Sequence, residues 1–267
     1  MALTTHPSTL TEGRVAWLEA GLLEGGRILS AEAAGEPLHF VRRPGKRLQA
    51  LMAVPVEGGD SVPVSLVLRR GERTDTVAIS FPVVRANYAN ELLSVPPAYA
   101  LPDSAATARI QSEIAQSREV SRRSHLRPRM WTTGFQLPRR SRVTSRFGTA
   151  RIYNGEVQSR HLGTDFAGRV GAPVYAAGAG SVALVADFYL AGRAVYIDHG
   201  AGLVTGYFHL SRIDVRKGQH VVAGQQIGAV GRTGRVTGPH LHWVARYGAI
   251  PVDPMSLLPL GPGQAKR

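Results

Sequence analysis

Gly238-Pro239-His240-Leu241-His242-Trp243-Val244, near the C-terminal end, alternates imidazole with apolar side chains. In a strand, residues i and i+2 point to the same face. His240 and His242 are therefore expected side by side on one face, with Leu241 and Trp243 buried on the other. Two adjacent imidazoles are a poor choice for packing and a good one for holding a metal. One pair decides nothing alone, so its partners have to be found elsewhere in the chain.

The first partner segment is His161-Leu162-Gly163-Thr164-Asp165-Phe166. Gly163 and Thr164 are poor helix residues, so His161 and Asp165 are not expected to share a helix face. In extended chain, positions 161, 163 and 165 share a face, and Gly163 leaves room between the two side chains for an ion. The second is His209 in Tyr207-Phe208-His209-Leu210-Ser211, at the end of a β run. The chain has no cysteine, which excludes disulfides, Cys-ligated zinc and thiol nucleophiles. Zinc without cysteine takes His nitrogens and carboxylate oxygens, and a catalytic site uses three protein ligands with the fourth position left to water. The set His161, Asp165, His209, His240 and His242 exceeds that need. The economical division is three ligands plus two histidines for proton transfer and charge stabilisation.

The chain has 267 residues, enough for two modest domains. Its outlying property is a net charge of +13. Residues 136–267 hold 16 Lys and Arg against 6 Asp and Glu, whereas residues 1–135 hold 16 against 13. The excess sits on the half that carries the histidine pair and suits an anionic polymer such as nucleic acid, lipid headgroups or cell wall. No run approaches the ~18 apolar residues of a membrane span.

Residues 1–10 read as a polar tail. Over residues 11–95, Val15–Leu18, Leu48–Val54, Val62–Leu68 and Asp75–Phe81 are short β segments between Gly- and Pro-bearing turns. That spacing predicts a small sandwich of immunoglobulin-like type. His39, between Leu38 and Phe40, is read as packed or surface. Residues 96–135 form a linker in which Asp103 caps a helix running through Val120, with Ile110 and Ile114 as a narrow apolar stripe. Its basic end, Arg118 to Arg129, is a solvated face, a brace between domains, or a flank of a substrate groove. Residues 136–260 are Gly-rich β structure, and 261–267 are a tail. The fold class expected is mainly β: sandwich, short helical connector, compact antiparallel β domain.

His161-x-x-x-Asp165, the segment ending at His209, and Gly238-Pro239-His240-Leu241-His242 together resemble the lysostaphin/LytM-type zinc metallopeptidases of bacterial cell walls. The similarity extends through Ser145-Arg146-Phe147-Gly148, Asn154-Gly155, Ile197-Asp198-His199-Gly200, Val230-Gly231-x-Thr233-Gly234 and Val252-Asp253-Pro254. The sandwich and connector, with Ser94-Val95-Pro96-Pro97, resemble members carrying an immunoglobulin-like N-terminal domain. The resemblance implies one Zn2+ per chain, with His161, Asp165 and His242 as ligands. It implies that His209 and His240 are the two non-ligand catalytic histidines, and leaves open which of them takes the proton. In some relatives an upstream tyrosine holds the oxyanion, and Tyr153 is the nearby tyrosine here. His6, His125, His199 and His220 are not expected to bind metal.

The function implied is a zinc-dependent endopeptidase, a zinc-activated water attacking the peptide cross-links of peptidoglycan. The alternative is a non-catalytic, peptidoglycan-binding activator of other wall hydrolases, as in relatives that have lost ligands. Here every matched position is present. The substrate expected is the peptidoglycan peptide stem, with D-Ala–diaminopimelate cross-links favoured over glycine bridges by analogy. No basic–aromatic nucleic-acid motif is present, so no nucleic-acid partner is expected. Relatives are often held inactive by upstream segments, which makes the Arg-rich stretch 103–130 a candidate cover for the cleft. A wall hydrolase acts outside the cytoplasmic membrane, in periplasm or wall. Residues 1–7 lack the charged and apolar regions of a signal peptide, so that location implies a signal segment absent from this sequence.

Overall fold

Alternating burial along short strands builds both halves of the chain. The computed structural model describes residues 2–21, 26–93, 102–153 and 157–260. They fall into two compact units, Met1–Asn87 with Ala249–Val252, and Tyr88–Gly248 with Asp253–Arg267.

In the first unit a four-stranded sheet runs in the order Ala2–His6, Val15–Gly21, Arg47–Ala53, Val41–Arg43. A second sheet orders Leu10–Thr11, Arg73–Val84, Ser61–Arg70, Gly26–Ala33 and Glu36–Pro37. Leu18, Ala50 and Met52 from one sheet and Ala33, Val62, Val64 and Leu66 from the other form a single buried cluster. Complete burial of each larger member contributes about 1.5–3 kcal/mol. This is the two-sheet sandwich that the strand spacing predicts.

Within the stretch expected to be a tail, Ala2–His6 form a strand. Ala2–His6 pairs antiparallel with Val15–Gly21, Ala2 opposite Gly21 and His6 opposite Trp17. Leu3 packs on the core cluster, and Thr4 and Thr5 after it suit a half-exposed edge strand. A single apolar residue among polar ones is too weak a period-two signal to separate such a strand from a tail. The expected C-terminal tail, 261–267, lies outside the described residues, as does the Ser94-Val95-Pro96-Pro97 segment.

The second unit begins at Tyr88, upstream of the linker that composition suggests. Asn90–Leu93 runs parallel to Ala150–Tyr153, with Glu91 opposite Arg151, and Ala150–Tyr153 continues antiparallel into Val157–Arg160. The main sheet is antiparallel, in the order Val143–Ser145, Thr164–Ala167, His240–Tyr247, Leu203–Ile213, Gly192–Gly200, Gly180–Phe188, His220–Val221.

The connector helix spans Ser104–Ser124, four residues beyond the predicted end, and Asp103 caps it by accepting from the Ala106 N–H at 2.8 Å. Its buried stripe is Glu113, Ser117, Ser121 and Ser124, not Ile110 and Ile114; Ile114 is 41% exposed. The small serines let the helix lie against the strands Gly180–Phe188, Gly192–Gly200 and Leu203–Ile213. Glu113 tolerates burial because its carboxylate accepts from Arg109 Nε at 2.7 Å and from the Tyr189 N–H at 2.8 Å. Ser124 Oγ donates to Asp198 Oδ1 at 2.6 Å, which docks the helix end. No helix among the described residues is long and apolar enough to cross a membrane.

Candidate metal centre and groove

The strand His240–Tyr247 alternates as its sequence demands. Leu241 and Trp243 are fully buried, while His240 and His242 lie on the opposite face. The antiparallel register sets Asp165 directly opposite His242 on one side and Phe208 opposite His242 on the other. Ser145 pairs with Asp165 one strand further out. Side chains opposite one another on neighbouring strands are close enough to touch, and the sheet thereby carries its polar groups in one row.

Three donor atoms converge on that row. His242 Nδ1 lies 2.6 Å from Asp165 Oδ1 and 2.9 Å from His161 Nε2, and His161 Nε2 is 3.0 Å from the same carboxylate oxygen. His161, Asp165 and His242 each offer a ligand atom within 4.8 Å of the others, the spacing of a metal site. His161 enters from just before the Thr164–Ala167 strand, so it and Asp165 do not share one extended strand face. Its Nδ1 sits 2.9 Å from the Arg146 carbonyl, which can only accept. Nδ1 therefore carries a hydrogen, and Nε2 is the ring nitrogen that faces the cluster.

Charge states match that use. Burial alone would raise the Asp165 carboxyl, but the His242 and His161 imidazoles outweigh it and hold the group well below the usual carboxylate range. Burial pushes His242 down to about 4 against the pull of Asp165, so this imidazole gives up its proton readily, as binding a metal requires. An ionised carboxylate and neutral imidazoles are the donors that zinc takes when no cysteine is at hand.

His209 and His240 stand beside the cluster and outside it. Their rings are 4.9 Å apart, and His240 Nε2 is 3.8 Å from Asp165 Oδ1. Each is aimed by a backbone carbonyl, His240 Nδ1 donating to Gly238 and His209 Nδ1 to Thr233, both at 2.8 Å. The opposite nitrogens make no hydrogen bond among the described residues, and His240 Nε2 lies at ion-pair distance from Asp165. Burial and the nearby His242 and His240 push the His209 imidazole well below its ordinary value. His209 also has φ of +62°, a left-handed conformation uncommon for a non-glycine residue.

Gly163 serves a different end from the one its sequence suggests. A Cβ there would come within 2.6 Å of His242 Cε1, 2.7 Å of the Trp243 carbonyl oxygen and 2.8 Å of Val244 Cγ1. The space it leaves holds the His242 ring and the neighbouring strand, not an ion. Gly163→Ala is expected to destabilise this unit by about 1–3 kcal/mol through overpacking. Denaturant titration reads the change, and an unaltered midpoint would mean that the strand yields freely.

Asp165, His209, His240 and His242 line a groove of about 360 Å³, together with Glu91, Arg151, Leu190, Phe208 and Arg235 among others. None of the residues lining it comes from 103–130, so the connector helix does not cover the groove. Tyr153 lies in the Ala150–Tyr153 strand, but its side chain is outside the described residues, as are Asn154 and Gly155. His199 is fully buried with Nδ1 2.7 Å from the Ala179 carbonyl and Nε2 2.8 Å from Thr205 Oγ1, a structural arrangement. His220 is exposed, and the His125 ring meets Tyr247 edge-on at 5.3 Å. Sequence reasoning missed Arg151, whose Nη2 donates to Asp165 Oδ2 at 2.6 Å, and Glu91 behind it.

Residues 159–254 match the description of peptidase family M23. The peptidoglycan DD-endopeptidase ShyA of Vibrio cholerae is 46% identical over 117 residues, covering 43% of this chain and 27% of that protein. The DD-carboxypeptidase/endopeptidase Mpg of Neisseria meningitidis is 39% identical over 117 residues, 44% of this chain and 27% of its own. The chain thus spans about a quarter of the length of these curated relatives. A crystal structure of an M23 peptidase from Pseudomonas aeruginosa aligns over 93% of this chain and 94% of that one, with a TM-score of 0.70 and 30% identity.

Proposed function

We propose, because the chain belongs to peptidase family M23, that it is a zinc-dependent endopeptidase hydrolysing the peptide cross-links of bacterial peptidoglycan. The observation that carries this reading is the convergence of His161 Nε2, Asp165 Oδ1 and His242 Nδ1, with His209 and His240 ranged beside them in a groove. Those three residues would hold one zinc ion. Zinc bound there supplies Lewis acidity, which activates a water and polarises a peptide carbonyl.

The chain's own residues do the rest. His240 and His209 turn their Nε2 atoms to the groove, where one ring, neutral, takes the proton released by the attacking water and the other, when it carries a proton on Nε2 as well, donates to the developing oxyanion. Neutral imidazoles suit the first task, and burial keeps His209 neutral. Leu190 and Phe208 form an apolar wall against which a peptide stem can lie and from which water is displaced. Of the two cross-link types we favour the D-Ala–diaminopimelate bond, since ShyA and Mpg are both named for DD-endopeptidase activity. Such a substrate places the protein outside the cytoplasmic membrane. The basic surface of the second unit complements an anionic wall.

Purified protein supplied with zinc should release soluble muropeptides from isolated sacculi, and a chelator should stop the release until zinc is restored. Mass spectra of the fragments identify the bond. Sacculi left intact by the zinc-supplied protein would overturn the reading.

A further inference from the structure

We infer that Glu91, far upstream of the ligands in sequence, is a positioning residue for the metal centre, acting on two of its ligands through separate links. The inference rests on the zinc reading above. Glu91 lies on the Asn90–Leu93 strand, directly opposite Arg151 in the parallel pairing. Its Oε2 accepts from Ser145 Oγ at 2.9 Å and forms an ion pair with Arg151 Nε at 3.4 Å.

The first link runs through Ser145. With its hydrogen given to Glu91, Ser145 Oγ has lone pairs left for the Arg151 Nη2 donor at 3.2 Å and for the His161 Nδ1–H at 3.1 Å. Glu91 thereby fixes the hydroxyl as an acceptor toward His161, which favours the tautomer that leaves Nε2 free. The second link runs through Arg151. Its Nη2 holds Asp165 Oδ2 at 2.6 Å, and this leaves Oδ1 as the oxygen turned toward the two imidazole nitrogens.

Charge explains why a carboxylate is needed behind an arginine. The Arg151 side chain is only 16% exposed and sits against a ligand, where a lone guanidinium would repel a dication. Glu91 offsets that charge at its source while leaving the hydrogen bond to Asp165 in place. Outer partners of this kind typically change metal affinity by about 10- to 100-fold when removed.

Competition with a chromophoric chelator on the full chain measures zinc affinity without reference to hydrolysis. Glu91→Ala should weaken zinc binding by about 10- to 100-fold. It should also shift the visible absorption bands of the Co2+-substituted protein, which report ligand geometry. Glu91→Gln, of the same shape and able to accept from Ser145, should fall between Glu91→Ala and the unaltered chain. Metal-free stability should change little in Glu91→Gln, which separates positioning from general damage. Unaltered zinc affinity and cobalt spectra in both variants would overturn the inference, as would a loss of affinity matched by loss of the metal-free fold in Glu91→Gln. Zinc binding that depends on Glu91 in a protein inert toward sacculi would support this inference while defeating the endopeptidase reading. A chain that binds no zinc at all defeats both.

Discussion

His242→Ala is expected to lose bound zinc, from about one ion per chain to almost none, and to lose all release of fragments from sacculi. The substitution deletes the nitrogen that lies 2.6 Å from Asp165 Oδ1 and 2.9 Å from His161 Nε2. What remains is one imidazole and one carboxylate, a pair too few to hold zinc against water and buffer. The fold should survive, because Leu241 and Trp243 anchor the strand on the opposite, buried face. Metal analysis of freshly purified protein and far-ultraviolet circular dichroism check the two halves of this expectation. Full activity in His242→Ala would sink the proposed mechanism.

His240→Ala should separate binding from chemistry. Its Nε2 is 3.8 Å from Asp165 Oδ1 and its other nitrogen is committed to the Gly238 carbonyl, so it lies next to the donor cluster without joining it. The variant is expected to keep zinc at near-normal affinity. Its turnover should fall about 10²- to 10⁴-fold, the usual contribution of a positioned acid or base, with KM changed much less. Loss of zinc in this variant would make His240 a ligand and require a different division of the five residues. If instead zinc is retained as expected, the two neighbours on one strand show different signatures, one in metal content and one in kcat.

The site was legible where it rests on strand periodicity. His240 and His242 alternate with Leu241 and Trp243, and the burial of that strand follows the alternation. The absence of cysteine leaves histidines and carboxylates as donors, and it is the family resemblance that singles out His161, Asp165 and His242 among them. Register was not legible. That Asp165 lies across from His242, and Ser145 across from Asp165, depends on pairings between distant segments. The outer partners were missed for the same reason. Ser145 lies in a segment whose resemblance was visible, but nothing beside Glu91 or Arg151 in sequence points to a metal.

Helix burial misled for another physical reason. Ile110 and Ile114 mark the conventional apolar stripe, yet the helix approaches the sheet with serines and a satisfied glutamate. Close approach of backbone and a docked end at Asp198 outweigh the weak apolar stripe there. In the sandwich the long alternating strands were evident from the spacing of valines and leucines. The edge strand Ala2–His6 was not, since its pairing with Val15–Gly21 draws on one apolar residue.

The left-handed backbone of His209 sets two selection pressures against each other. Holding a non-glycine residue in that conformation costs on the order of 1–3 kcal/mol, which glycine would not pay. A library screened for heat resistance would therefore tend to replace His209, and a library screened for cleavage of sacculi would retain it. On the proposed role of His209, this position is where a more robust protein and a working one diverge.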